Sequence, residues 1–174
     1  MMTLEQRCQS IELLLADVDG VLTDGRIVFN NQGIETKQFH IRDGMGIRLW
    51  HKAGYRFGVL SLRSSQVVKM RAAELDVRIV RQGAADKLAT TKEILAEAGL
   101  SLQQAAYLGD DLPDLPVIRA VGLGIAVADA CEEVRQAAAY VTRLPGGTGA
   151  VREVIEMILK AQGRWDEVIQ VYTT

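Results

Sequence analysis

Short apolar runs alternate with amphipathic stretches along this 174-residue chain, and that alternation restricts it to a parallel sheet with crossover helices. The runs predict strands near Ile11–Asp17, Arg56–Ser61, Val77–Val80, Ala105–Gly109 and Leu123–Ala126. The amphipathic stretches predict helices near Met45–Lys52, Ser65–Leu75, Lys87–Ala98, Pro113–Ala120, Glu132–Ala138 and Ala150–Ala161, with Gly54, Gly99 and Gly163 as left-handed caps. The expected architecture is a doubly wound α/β sheet, mostly parallel, with helices on both faces and the first strand near the centre. One domain over residues 1–174 suits the length. One segment breaks the alternation: Arg26–Phe29 and Ile34–Phe39 flank Asn30-Asn31-Gln32-Gly33 and read as a protruding β-hairpin over about residues 26–39. A lone hairpin is marginal in water. The other connections are too short for a cap domain, so a homo-oligomer whose hairpins pack together is expected.

The net charge of −2 supplies no field for nucleic acid or an anionic membrane, and no run of 18 apolar residues offers a span. Residues 1–7 lack a secretory pattern. The two cysteines, Cys8 and Cys131, have no metal-ligand spacing, and reduced thiols in a cytoplasmic protein are expected.

The chemistry gathers at strand ends. Asp17-Val18-Asp19-Gly20 follows directly on the first apolar run, so two carboxylates reach the carboxyl edge of the sheet, where ligands bind in such folds. A carboxylate at Asp17 can attack phosphorus and form an aspartyl-phosphate. Unit charges at 4 Å repel by ~4 kcal/mol at an effective dielectric near 20, so a cation is needed, and Mg²⁺ suits an all-oxygen site. Asp110, ending the fourth predicted strand, is the expected second carboxylate ligand, with the Asp19 carbonyl as a third; Asp111 and Asp114 would steady them. Asp19 is the candidate acid and base, with Thr23 as its hydrogen-bond partner. Ser61 ends the second strand ahead of a helix and can seat a phosphate. Lys87 opens a helix against the dipole, which a phosphate and the Asp17 and Asp110 carboxylates would offset. Arg42, Arg48, Arg63 and Arg71 are expected to form a second positive zone for a substrate carboxylate, with Arg71 leaning back toward the Ser61 loop. Trp50, Leu49 and Ile47 read as packing, and Gly146-Gly147-Thr148-Gly149 reads as a turn into the last helix.

With these residues laid out, the chain resembles the haloacid dehalogenase superfamily of phosphatases. The matching pieces are Asp17-Val18-Asp19-Gly20-Val21-Leu22-Thr23, Ser61, Lys87 and Gly109-Asp110-Asp111. Arg42-Asp43-Gly44-Met45-Gly46-Ile47-Arg48, Asp110 to Pro116, Tyr140 to Arg143 and Gly147 to Glu153 bring it nearer the small capless branch acting on keto-acid sugar phosphates. That resemblance implies Mg²⁺-dependent hydrolysis of 3-deoxy-D-manno-octulosonate 8-phosphate in bacterial lipopolysaccharide synthesis. It also implies a homotetramer with a central hairpin barrel and a neighbour's tail near the site. Asp17 would be nucleophile and metal ligand, Asp19 acid/base, and Asp110 metal ligand. Asp19, Gly20, Ser61 and Lys87 would hold phosphate, and His40, Ile41, Arg42, Asp43, Gly44, Arg48, Arg63 and Arg71 would line the substrate pocket. Two positions depart from the family pattern: Leu62 stands where glycine is usual, and His40 where a smaller polar residue is common. Arg63 favours the octulosonate over a nine-carbon keto-acid 9-phosphate. A non-catalytic assembly module, with Leu62 spoiling turnover, is the reading from another class.

Overall fold

A computed structural model describes residues 2–173; Met1 and Thr174, the ends of the expected domain, lie outside the described residues. Six strands form one parallel sheet: β1 (Leu13–Ala16), β4 (Arg56–Ser61), β5 (Ile79–Gln82), β6 (Ala105–Gly109), β7 (Leu123–Ala126) and β8 (Tyr140–Val141). Their order is β5-β4-β1-β6-β7-β8, which puts β1 inside the sheet as expected. Every residue of β1, β6 and β7 is buried, as in a sheet covered on both faces. The helices are α1 (Leu4–Gln9), α2 (Ile41–Lys52), α3 (Gln66–Glu74), α4 (Lys87–Ala98), α5 (Leu115–Ala120), α6 (Glu132–Ala137), α7 (Ala150–Ala161) and α8 (Trp165–Ile169). Gly54, Gly99 and Gly163 all adopt positive φ at helix ends, as their positions predict. Trp50 and Ile47 pack in the core, and the Trp50 indole N–H donates to the Arg56 carbonyl at 2.7 Å.

Several boundaries differ from expectation. β5 begins at Ile79 rather than Val77, because Val77 closes the turn from α3 and packs into the core instead of pairing with β4. α2 starts at Ile41 rather than Met45, despite Gly44 and Gly46 in its first turns. Glycine weakens a helix interior by about 1 kcal/mol relative to alanine, and close packing against α7 requires it here: a Cβ on Gly46 would press on the Arg152 backbone at 3.1 Å. The hairpin is shorter than expected, with β2 at Val28–Phe29 and β3 at Glu35–Thr36 paired antiparallel. α1, α8 and β8 have no counterpart in the sequence reading; each is too short to show a period of its own.

Asp43 is 2% exposed, and its Oδ1 accepts from the Arg152 N–H at 2.8 Å, so it caps the first turn of α7. Burial pushes its carboxyl pKa up. Asp43→Ala leaves α7 donors unpaired and is expected to cost about 1–3 kcal/mol. At roughly 2–4 °C per kcal/mol for a chain of this size, a drop in Tm in a thermal melt checks this; an unchanged Tm would refute the cap.

Candidate active site

The register of the sheet assembles the site. β1 pairs with β6 through Ala16 and Leu108, and the Asp17 N–H donates to the Leu108 carbonyl at 3.0 Å. The next residues on the two strands therefore emerge side by side: Asp17 from β1, and Asp110 just beyond Gly109 from β6. Asp114 returns from the short 3₁₀ turn Leu112–Asp114 and is fully buried. Asp17, Asp110 and Asp114 offer carboxylate oxygens that all lie within 4.8 Å of one another. Lys87, first residue of α4, reaches the same point with a side chain 2% exposed, 2.8 Å from Asp17 Oδ2 and donating to Asp114 Oδ1 at 2.6 Å. Its expected partner Asp110 is replaced by Asp114, which sits deeper and needs a cation more.

Asp114 is the hub of this cluster. It also accepts from the Tyr107 hydroxyl at 2.6 Å and from the N–H groups of Asp110 and Asp111 at 3.0 and 3.4 Å. Tyr107 went unread in the sequence, although a tyrosine amid the small aliphatic residues of β6 needs a partner for its hydroxyl. The Asp111 side chain turns to solvent and accepts from the Leu112 N–H, so it caps the turn, and only its backbone N–H reaches the cluster, at Asp114. Thr23 does not reach Asp19: its hydroxyl donates to the Val18 carbonyl and accepts from the Gly25 N–H, closing the loop after β1.

Three carboxylates against one ammonium leave an uncompensated negative charge. Burial, then the neighbouring Asp114 charge, raises the Asp17 pKa to about 6 despite Lys87. Burial and the charges of Asp17 and Asp114 raise Asp110 to about 8. For Lys87, burial alone would lower the pKa, but Asp17 and Asp114 outweigh it and the net direction is up. Asp110 Oδ1 is buried without a hydrogen-bond partner. Gly20 (φ +92°) shapes the wall beside it: a Cβ there would lie 2.0 Å from Asp110 Oδ2. An orphaned carboxylate oxygen in an all-oxygen, anion-rich cluster fits a hard divalent cation.

The other residues singled out in the sequence are more dispersed. Ser61 is buried at the end of β4, its Oγ accepting from the Arg63 N–H at 3.2 Å. Leu62 is 42% exposed and keeps ordinary backbone geometry; among the described residues Asp76 is the one non-glycine with positive φ. Arg63 faces Asp19 and the hairpin residue Glu35. Arg71 does not lean toward the Ser61 loop; it pairs with Glu74 at 2.9 Å, crosses the Phe39 ring and lies against Gly44. Arg48 is exposed and donates to the Glu74 carbonyl, while Arg42 opens into a separate groove with Arg143 and Arg152. The four arginines thus form no single zone within one chain. His40 caps α2 by accepting from the Arg42 N–H, and Ile41 is 77% exposed. Glu35 and Lys37, both in contact with Asp19 or Arg63, were missed; their i, i+2 spacing on a strand was the available signal.

Carboxylates clustered at the carboxyl edge of a doubly wound sheet, suited to a cation, fit a hydrolase of phosphate esters. The chain belongs to the haloacid dehalogenase-like hydrolases, whose family model matches residues 59–155. It is 43% identical over 161 residues to the 3-deoxy-D-manno-octulosonate 8-phosphate phosphatase KdsC of Escherichia coli (strain K12), covering 92% of this chain and 86% of that one. A 3-deoxy-D-manno-octulosonate 8-phosphate phosphatase from Moraxella catarrhalis, solved with magnesium, phosphate and KDO, superposes with a TM-score of 0.95 at 42% identity, covering 97% of each chain. The cobalt-bound deoxy-D-mannose-octulosonate 8-phosphate phosphatase (YrbI) of Haemophilus influenzae gives 0.92 at 38% identity, covering 97% of this chain and all of that one. No helix among the described residues is long and apolar enough to cross a membrane.

Without a cation, the raised pKa values of Asp17 and Asp110 make the folded state hold protons that the unfolded chain has released. Stability is then full below about pH 4 as regards these groups and falls as pH rises toward about 8. In chelator, Tm is expected to fall across that window, and MgCl₂ to restore it most at the alkaline end. A flat profile without metal would count against the acidic cluster.

Proposed function

We propose that this chain is an Mg²⁺-dependent phosphatase that hydrolyses 3-deoxy-D-manno-octulosonate 8-phosphate to the free sugar acid and phosphate. The observation that carries this reading is the buried Asp17–Asp110–Asp114 cluster around a single ammonium, Lys87. Mg²⁺ held by Asp17, Asp110 and the Asp19 carbonyl would lower the repulsion between the attacking carboxylate and the phosphoryl oxygens. Asp17 is the nucleophile: its Oδ1 accepts from the Val18 N–H at 2.6 Å, which fixes the carboxylate's orientation at the strand tip. Asp19 gives a proton to the departing alcohol and later takes one from the water that cleaves the aspartyl-phosphate. Ser61 and Lys87 hold the transferred group, and Asp114 keeps Lys87 in place. Arg63, whose Nη1 is buried without a hydrogen-bond partner, stands ready for an anionic oxygen of the sugar acid. Leu62 carries no positive-φ strain, which supports the catalytic reading over a non-catalytic module.

The hairpin carries Ile27, Phe29 and Ile34 outward, each 57% exposed. A homo-oligomer, by resemblance a tetramer in the cytoplasm, would cover these side chains. Phe29→Glu is expected to shift sedimentation to the monomer; unchanged assembly would refute the interface.

Asp17→Asn is expected to lower kcat at least ~10³-fold with the circular dichroism spectrum unchanged: it removes the proposed nucleophile and one carboxylate for the cation, while Lys87 keeps Asp114 as its ion-pair partner. Chelation should stop phosphate release and Mg²⁺ should restore it. Equal kcat/KM on a simple aryl phosphate and on the octulosonate ester would defeat the substrate assignment.

A further inference from the structure

Glu35 and Lys37 leave the hairpin toward the loop after β1. The Lys37 side chain is 1% exposed; its ammonium is hydrogen-bonded to Asp19 Oδ1 and lies 3.4 Å from Glu35 Oε1. Arg63 Nη2 donates to Glu35 Oε1 at 2.8 Å, and Arg63 Nη1 stands 3.6 Å from Asp19 Oδ2. The Ser65 hydroxyl donates to Glu35 Oε2 at 2.5 Å. That bond, with the charges of Lys37 and Arg63, holds the Glu35 carboxyl below its usual range. Asp19, Lys37, Glu35 and Arg63 close a ring of alternating charge in which every ion has an opposite neighbour on both sides. A lysine this buried is kept there by what neutralises it, and its two neutralising groups are Asp19 and Glu35.

We propose that Lys37 is a positioning residue for the phosphatase reaction: it anchors the Asp19 carboxyl through Oδ1 and so presents Oδ2 to the leaving oxygen. This rests on the assignment of Asp19 as acid. The ring treats the two oxygens differently. Oδ1 is taken by the ammonium. Among the described residues, Oδ2 has its ion-pair contact with Arg63 Nη1 at 3.6 Å, beyond hydrogen-bonding reach, and that nitrogen makes no hydrogen bond of its own. Oδ2 therefore keeps its lone pairs for a transferable proton. In the first step an Asp17 oxygen forms a bond to phosphorus while the bond from phosphorus to the ester oxygen breaks. Asp19, having taken a proton from solvent on Oδ2 before this step, passes it to that ester oxygen, the sugar leaves as the neutral alcohol, and Asp19 returns to the carboxylate between Lys37 and Arg63. Misplacement of a reacting group by about 1 Å can cost ~10²-fold, so a hairpin residue that merely holds a rotamer has leverage on rate. The hairpin thereby serves the chemistry directly.

The test uses kcat/KM, which reports the steps through departure of the alcohol, on two esters in saturating Mg²⁺. The alkyl ester 3-deoxy-D-manno-octulosonate 8-phosphate needs its leaving oxygen protonated; p-nitrophenyl phosphate does not, because its phenolate leaves as the anion. Lys37→Met is expected to lose roughly 10- to 100-fold on the alkyl ester and less than about 3-fold on the aryl ester. Lys37→Arg, which keeps a cation on Oδ1, should recover most of the alkyl loss. If the methionine variant does not fold, Lys37→Gln fills the same space and carries the same expectation. Equal losses on both esters, or no loss on either, overturn the proposal. Asp19→Asn in the same pair of assays judges the underlying assignment separately: an aryl loss as large as the alkyl loss there would remove Asp19 as the acid whatever Lys37 does.

Discussion

The Lys87 ammonium is the one positive charge inside a cluster of three carboxylates, and the geometry of the sheet edge depends on it. Lys87 bridges Asp17 from β1 to Asp114 beyond β6, and Asp114 in turn takes the Tyr107 hydroxyl and two backbone N–H groups. Removing either partner from a buried ion pair is costly, on the order of 3–5 kcal/mol, because it strands the other charge. Asp114, with no exposure at all, would be stranded first. The remaining negative charge is what makes the site receptive to a divalent cation and, with it, to a phosphate ester. Structural and chemical requirements thus fall on the same four side chains.

The central strands were legible because burial on both faces writes an unbroken apolar run between polar stops. Arg56–Ser61, Ala105–Gly109 and Leu123–Ala126 match residue for residue. Edge elements were not: β5 is half-buried throughout, so its run does not say where pairing begins, and β8 has only two residues. Asp17, Asp110 and Lys87 were legible as neighbours because strand ends and helix starts share one edge of such a sheet. The partners of Lys87 were not, because spacing shows that Asp110 and Asp114 are near but not which lies deeper. The arginines illustrate a further limit. Arg71 sits on a helix face as expected, yet Glu74 one turn on and the Phe39 ring capture it, and no periodicity foretells that competition.

The hairpin joins two roles. Its apolar residues face outward, while Glu35 and Lys37 face the loop of Asp19. The register pairs Phe29 with Glu35, so the ribbon's exposed apolar side chains and its ion-paired carboxylate sit directly beside one another.

Gly146 and Gly147 press against the loop that carries Asp17 and Asp19. A Cβ on Gly146 would lie 1.7 Å from the Gly20 carbonyl oxygen, and the Gly147 N–H donates to the Val21 carbonyl at 2.9 Å. Such contacts are remote in sequence and slow to form. During synthesis the loop bearing Asp17 and Asp19 emerges well before Gly146 and Gly147, which back it. A nascent chain therefore holds these carboxylates in an unfinished mould until Gly146 and Gly147 close over the loop.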